Sequence, residues 1–167
     1  LNTIDNILDI AKIKTQQIER HSEKIDVHSM LKKKKKLFFF DKTYINKNHL
    51  DIIAQAEEFD QPYFISTDPY KLRKILLVLI DNSLKFTDSG YIRFGYQKIN
   101  SSLRFFVEDT GIGIDEIDKE QIFNSFSQGD FGLTRQYEGV GLGLTIAQSF
   151  TEILGGKIWF ESQKNQG

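Results

Sequence analysis

The chain has 167 residues, enough for one domain with a sizeable core and some extra. Hydrophobic residues make up 40% and charged residues 27%, with a formal net charge of −1. That balance is ordinary for a soluble globular protein and carries no global basic signature of nucleic-acid binding. Cysteine is absent, which excludes disulfides, thiolate metal sites and a cysteine nucleophile, and fits a reducing compartment.

The longest purely apolar run, Ile75 to Ile80, is far too short to span a bilayer, and no signal peptide is visible. The chain starts in mid-pattern at Leu1 and stops at "KNQG", so the expectation is a piece of something longer. Leu1, Ile4, Leu8, Ala11, Thr15, Ile18, Ser22 and Ile25 are spaced alternately three and four apart, a heptad seam that is apolar except at Thr15 and Ser22. It predicts one long helix of roughly 35 Å whose stripe needs another helix to cover it, in an intermolecular bundle or on its own domain. The lysine run Lys32 to Lys36 leads into "LFFF" and reads as a solvated stretch beside a buried aromatic patch.

Asp68 is a good N-cap and Pro69 suits a first helical position, so a helix is predicted through "PYKLRKILLVLIDNSLKF", closed by "DSG". Leu72, Ile75, Leu76, Leu79 and Ser83 form its core stripe, and a different face carries Val78, Asn82 and Lys85. "YIRFGYQKI" and "SLRFFVED" read as strands around the turn "NSS". A short helical piece is expected over Glu116 to Phe126. A glycine-rich segment follows, then an apolar helix with a glycine start and a glycine stop, and a strand "KIWFES". The predicted fold is α+β: a two-layer sandwich of a mixed sheet with helices on one face, preceded by the long helix.

Leu103, Phe105 and Val107 alternate with polar or outward positions, and by parity Asp109 faces the same way as they do. A carboxylate aimed at the core needs donors from the protein or from a ligand. Gly111 and Gly113 follow it and leave room for close approach of a flat ligand, although D-x-G-x-G is also what a plain turn looks like. The loop resembles a calcium loop only superficially, because its third and fifth positions are glycines without a side-chain oxygen. The Asn82 amide oxygen suits Mg²⁺ and Lys85, one turn on, can reach phosphate; alternatively the two form a solvated helix face. "GVGLGL", Gly139 to Leu144, opens a helix with amides free of β-carbons, an anion-binding geometry, but fits neither the dinucleotide fingerprint nor a Walker A loop. "DFG" at Asp130 to Gly132 lacks the H-R-D partner that would give it meaning.

In this order the segments resemble the catalytic and ATP-binding domain of sensor histidine kinases, within the Bergerat ATPase superfamily that includes gyrase B, MutL and heat-shock chaperones. "DPYKLRKILLVLIDNSLKFTDSG" resembles the N box, "DTGIGI" the G1 box, "IFNSFSQ" the F box and "GLTRQYEGVGLGL" the ATP lid and G2 box. "LNTIDNILDIAKIKTQQIE" is similar to the second helix of the dimerisation hairpin. The resemblance implies two units: residues 1–26 as part of that hairpin helix, and 27–167 as the catalytic domain, lacking the family's last strand.

The resemblance also implies roles. Asp109 would accept a hydrogen bond from the adenine amino group, Gly111 and Gly113 would admit the ring, and Phe86 would line or stack on it. Asn82 would hold Mg²⁺, Lys85 would meet phosphate and Arg135 in the lid would approach the γ-phosphate. Ile114, Val140 and Leu142 would border the nucleotide, while Gly139, Gly141 and Gly143 would hinge the lid and present amides. Asn82, Lys85 and Arg135 are the expected catalytic set, with ATP and Mg²⁺ as cofactors.

The chain departs from the family pattern at four places. Val78 stands where relatives carry a polar residue, and in hydrolytic relatives a water-activating Glu, which argues against efficient hydrolysis. Asn124 and Ser125 replace the F box Glu-Pro, and Val140 replaces a Thr. His21, His28 and His49 lack the H-E-x-x-x-P context of the phosphoacceptor, so that histidine is expected outside this chain, which should bind ATP without phosphorylating itself. The implied partners are the phosphoacceptor-histidine helix, a response-regulator receiver domain and a second copy in a homodimer, with no nucleic acid. The implied setting is cytoplasmic, as a free protein or as part of a membrane-bound sensor. Two other readings stand beside this one: a degenerate nucleotide-binding or dimerisation module without kinase activity, and a different Bergerat ATPase.

Overall fold

The computed structural model describes residues 3–32, 47, 49–56, 62–123 and 141–167. Helix α1 spans Thr3–Lys14, β1 Glu23–Asp26, β2 Leu50–Ala56, β3 Phe64–Thr67, α2 Pro69–Phe86, β4 Gly90–Ile99, β5 Ser102–Asp109 and α3 Gly143–Ile153. Residues 27–32 are helical, and Glu116–Asp118 form one 3-10 turn.

β4 is the centre of a three-stranded sheet. It pairs parallel with β2 and antiparallel with β5, the latter across the Asn100 turn, where φ is 53°. β1 and β3 form a separate antiparallel pair, with Ile25 opposite Ile65. Ile92, Phe94 and Tyr96 of β4 are fully buried and face Leu72, Leu76, Ile80 and Leu84 of α2 in one apolar cluster. The sandwich of helices on one face of a mixed sheet is therefore the observed architecture. Three strands, β1, β2 and β3, lie between α1 and α2.

α2 is buried on a second side as well. Ile75 and Val78 join Ile10 of α1 and Leu142, Ile146, Ala147 and Phe150 of the α3 region in a second cluster. Val78 is 1% exposed while Asn82 and Lys85 are half-buried, so the face that carries the three is split. Its first member is core, because α3 covers that side of α2. The N-cap holds as expected: Asp68 accepts from the Lys71 N–H at 3.1 Å with Pro69 in the first turn.

The heptad seam does not make one helix to Ile25. α1 ends at Lys14, and Gln16 takes a left-handed φ of 53°. The Gln16 N–H then bonds the Ile13 carbonyl and the Gln17 N–H the Lys12 carbonyl, the paired bonds of a helix stop that satisfy its last acceptors. Ile25 enters β1 instead, so a helical unit over 1–26 is not what these residues form. Along α1 the seam residues Ile4 and Leu8 are exposed, as is Ile7, while Ile10 and Ile13 pack on the domain.

Two further expectations change. "KIWFES" forms no strand ladder; Arg104 of β5 stacks over Trp159 at 5.1 Å, so the segment runs beside β5 through side chains rather than backbone bonds. The helix expected from Glu116 shrinks to the 3-10 turn and turns through Phe123. Its remainder, Asn124 to Phe126, lies outside the described residues, as do the seam residue Leu1, most of the lysine run and "LFFF".

Candidate functional site

The site is built where the C-terminal half of α2 meets the end of β5. The Lys47 ammonium fixes the end of α2 by donating to the carbonyls of Leu84 at 2.7 Å and Thr87 at 2.9 Å, and it pairs with Asp88 at 3.1 Å. A cation on the last carbonyls of a helix is favoured by their partial negative charge. Asn82 lies half-buried on this stretch, and among the described residues its side chain makes no hydrogen bond. Lys85 is not poised alone: it pairs with Asp81 one turn back at 2.9 Å. Phe86 is half-buried, and its carbonyl accepts from the Ile112 N–H at 3.1 Å.

Asp109 is the last residue of β5, opposite Ile92. As parity predicts, its carboxylate points to the helix layer. One oxygen accepts from the Ser83 hydroxyl at 2.7 Å and the other from the Gly111 N–H at 3.0 Å. Gly111 is required by the fold itself. A β-carbon there would stand 2.4 Å from the Phe86 carbonyl oxygen and 2.8 Å from the Thr87 hydroxyl. Gly113 has a left-handed φ of 63°, and its β-carbon would stand 2.1 Å from the Gln163 carbonyl oxygen. The space released is thus taken up by backbone and side-chain oxygens at Gly111 and by backbone at Gly113.

The segment 162–167 straps the glycine turn. The Asn165 N–H donates to the Ile112 carbonyl at 2.7 Å, the Ile114 N–H donates to the Ser162 hydroxyl at 2.8 Å, and Lys164 pairs with Asp115. Lys164 holds the Asp115 carboxyl below the usual range. Beside this turn lies an open hollow of about 220 Å³ between Phe86, Thr110, Gly111, Ile112 and Asn165. Neither Asn82 nor the Asp109 carboxylate lines it.

The start of α3 is brought to the same region through Val78. Gly143 is the first residue of α3, and a β-carbon on it would stand 3.0 Å from a Val78 methyl. Val78 is one turn of α2, roughly 5 Å, before Asn82, and the first-turn amides of α3 have no acceptor within their own helix. Gly141 is left-handed at φ 67° and Leu142 is 2% exposed, so Leu142 can offer a ligand only its backbone. Asn82, Lys85, Phe86, Asp109, Gly111, Gly113 and Ile114 gather around the α2–β5 junction, and Gly141, Leu142 and Gly143 stand beside it. Arg135, Gly139 and Val140 lie outside the described residues, as does Ser125. Among the described residues no three His, Cys, Asp or Glu side chains cluster as metal ligands. No helix there is long and apolar enough to cross a membrane.

The sequence reading missed Ser83 as a site residue and counted it in the core stripe; a lone hydroxyl in a stripe of Leu and Ile was the available signal. It also missed Lys47, Ser162 and Asn165, which only chain folding brings near.

Residues 67–167 match the family described as histidine kinase-, DNA gyrase B-, and HSP90-like ATPase. The chain is 32% identical over its whole length to the sensory/regulatory protein RpfC of Xanthomonas campestris, of which it spans 23%. Over 58% of its length it is 44% identical to the sensor histidine kinase AruS of Pseudomonas aeruginosa, of which it covers 10%. Among solved structures it matches full-length ShkA in complex with AMPPNP with a TM-score of 0.80 and 27% identity, over 96% of this chain and 33% of that one. It matches the catalytic domain of the histidine kinase ThkA with a TM-score of 0.70 and 25% identity, over 89% of this chain and 90% of that one.

The fold and these matches make the chain a two-layer α+β domain of the histidine kinase catalytic type. The chain belongs to the histidine kinase-, DNA gyrase B- and HSP90-like ATPase family.

Proposed function

We propose that the chain is the ATP-binding kinase core of a two-component sensor histidine kinase. It would transfer the ATP γ-phosphoryl group to a histidine on a dimerisation helix outside this chain. From there the group would pass to a response-regulator aspartate. The observation that carries the reading is the Asp109 carboxylate, held by Ser83 and Gly111 at the end of β5, in a chain of this family.

Asp109 accepts from the adenine amino group, and Phe86 with Ile114 borders the ring. Lys85 exchanges Asp81 for phosphate; the pair is about a third exposed and weak enough to part. The amides of Gly141, Leu142 and Gly143 take phosphate oxygens, with Gly139, Val140 and Arg135 completing the lid. The Asn82 amide, which makes no hydrogen bond among the described residues, fits a Mg²⁺ ligand, and the ion would supply charge neutralisation across the phosphates. Catalysis by these residues is positioning and electrostatics, which is most of phosphoryl transfer. Val78 is sealed in the α2–α3 core, so the chain puts no general base where hydrolytic relatives have one, which favours transfer over hydrolysis.

α1 is read as part of the second dimerisation-hairpin helix. Its outward Ile4, Ile7 and Leu8 are the surface for a second copy and for the phosphoacceptor helix in a homodimer. A cytoplasmic setting follows from this role.

Calorimetric titration with a non-hydrolysable ATP analogue, with and without Mg²⁺, tests the reading. Saturable binding that Asp109→Asn abolishes, and whose Mg²⁺ dependence Asn82→Ala removes, is the expected result. Binding unaffected by Asp109→Asn would overturn it.

A further inference from the structure

We infer that Ser83 is a positioning residue that sets the preference of the site for a purine bearing an exocyclic amino group, acting through Asp109. The inference rests on the nucleotide-binding reading above and assigns a role that Asp109 alone does not explain.

Ser83 is 5% exposed and sits in the apolar face of α2 that carries Leu72, Leu76 and Ile80. A buried serine inside a helix ordinarily turns its hydroxyl back to a carbonyl of the preceding turn. Here the hydroxyl instead donates across the layers to the Asp109 carboxylate at 2.7 Å, 26 residues away in sequence. The other Asp109 oxygen takes the Gly111 N–H at 3.0 Å. The two bonds reach different oxygens from different elements, one from α2 and one from the glycine turn. Together they fix the plane of the carboxylate, which a single bond would leave free to rotate.

A fixed carboxylate with one lone pair of each oxygen occupied offers its remaining lone pairs in set directions, and these accept only from a donor. An amino group on the base is such a donor. A carbonyl in the same place meets oxygen with oxygen, and a bare ring carbon leaves the acceptor unpaired. Buried polar groups left unpaired are what give such sites their discrimination. Without the Ser83 hydroxyl the carboxylate can swing about the Gly111 bond. The amino-bearing base then loses its aligned acceptor, while a base without the amino group loses nothing.

The test is calorimetric binding of ADP and of purine riboside diphosphate, which lacks the amino group, to the chain, to Ser83→Ala and to Asp109→Asn. Ser83→Ala is expected to weaken ADP about tenfold and the amino-free ligand less than about twofold. Equal weakening of both ligands, or none of either, overturns the positioning role and leaves the nucleotide site standing. ADP binding by Asp109→Asn as tight as by the unaltered chain overturns the underlying reading instead. Ser83→Cys keeps the volume with only a weak donor and is measured alongside, so that a folding defect in the alanine variant does not decide the matter. It must show the same selective loss for ADP.

Discussion

Val78 of α2 and Gly143 of α3 interlock: a β-carbon on Gly143 would stand 3.0 Å from a Val78 methyl, and Val78 is 1% exposed. The contact seats the start of α3, with its first-turn amides, against the helix that carries Asn82. Val78→Ala removes two buried methyl groups and is expected to destabilise the fold by about 2 kcal/mol. The loss is read from the shift of the urea midpoint. Nucleotide affinity should fall as well, because α3 loses its seat; an unchanged midpoint would contradict the packing described.

Gly111 tolerates no side chain. Its β-carbon would press to 2.4 Å on the Phe86 carbonyl oxygen, displacing the turn from α2 and breaking the Ile112-to-Phe86 hydrogen bond. Gly111→Ala is expected to destabilise the chain by roughly 1–3 kcal/mol. It should also cut nucleotide affinity strongly, since the same turn holds Asp109. Thermal melts and calorimetry measure the two effects on one preparation.

Asp9 of α1 is buried against α2, with the Lys74 ammonium at 3.0 Å and the Tyr70 hydroxyl donating at 3.0 Å. Burial and the Asp9 charge push the Tyr70 hydroxyl up to about 12, so it stays a donor across the neutral range. Asp9→Ala leaves Lys74 buried without its partner and is expected to cost about 3–5 kcal/mol, whereas Asp9→Leu combined with Lys74→Met should come close to neutral. Chemical denaturation of the single and double variants reads the difference, and equal losses in both would show that packing rather than charge dominates there.

Asp68 gives the fold an acid limb. Burial pushes its carboxyl up, but the Lys71 side chain and the N–H groups of His21 and Lys71 outweigh burial and hold it at about 2, against an ordinary 3.8. A depressed carboxyl contributes stability that is fully present above its unfolded value. That stability, roughly 2 kcal/mol, drains away as the pH falls from about 4 to about 2. Asp68→Asn keeps an N-cap acceptor without the charge, so its stability should be lower at neutral pH and flatter across that window. A pH series of denaturation midpoints on both proteins checks it.

The elements whose cause is local were legible in the amino-acid order alone. The α2 cap at Asp68, the hairpin of β4 and β5, the inward parity of Asp109 and the glycine-started α3 all follow from neighbours within a few residues. The chain's motifs, taken in order, also determined the family. Features that depend on partners far along the chain were settled only by folding. The heptad spacing predicted one helix through Ile25, but pairing of Ile25 with Ile65 outcompeted helix continuation and Gln16 closed the helix early. Val78 read as lying on the face of Asn82 and Lys85, apart from the core stripe, but α3 covers it, and Ser83 read as core until β5 brought a carboxylate to its hydroxyl. Burial and hydrogen bonding across layers are non-local, so periodicity can give the face on which a residue lies but not the group it meets there.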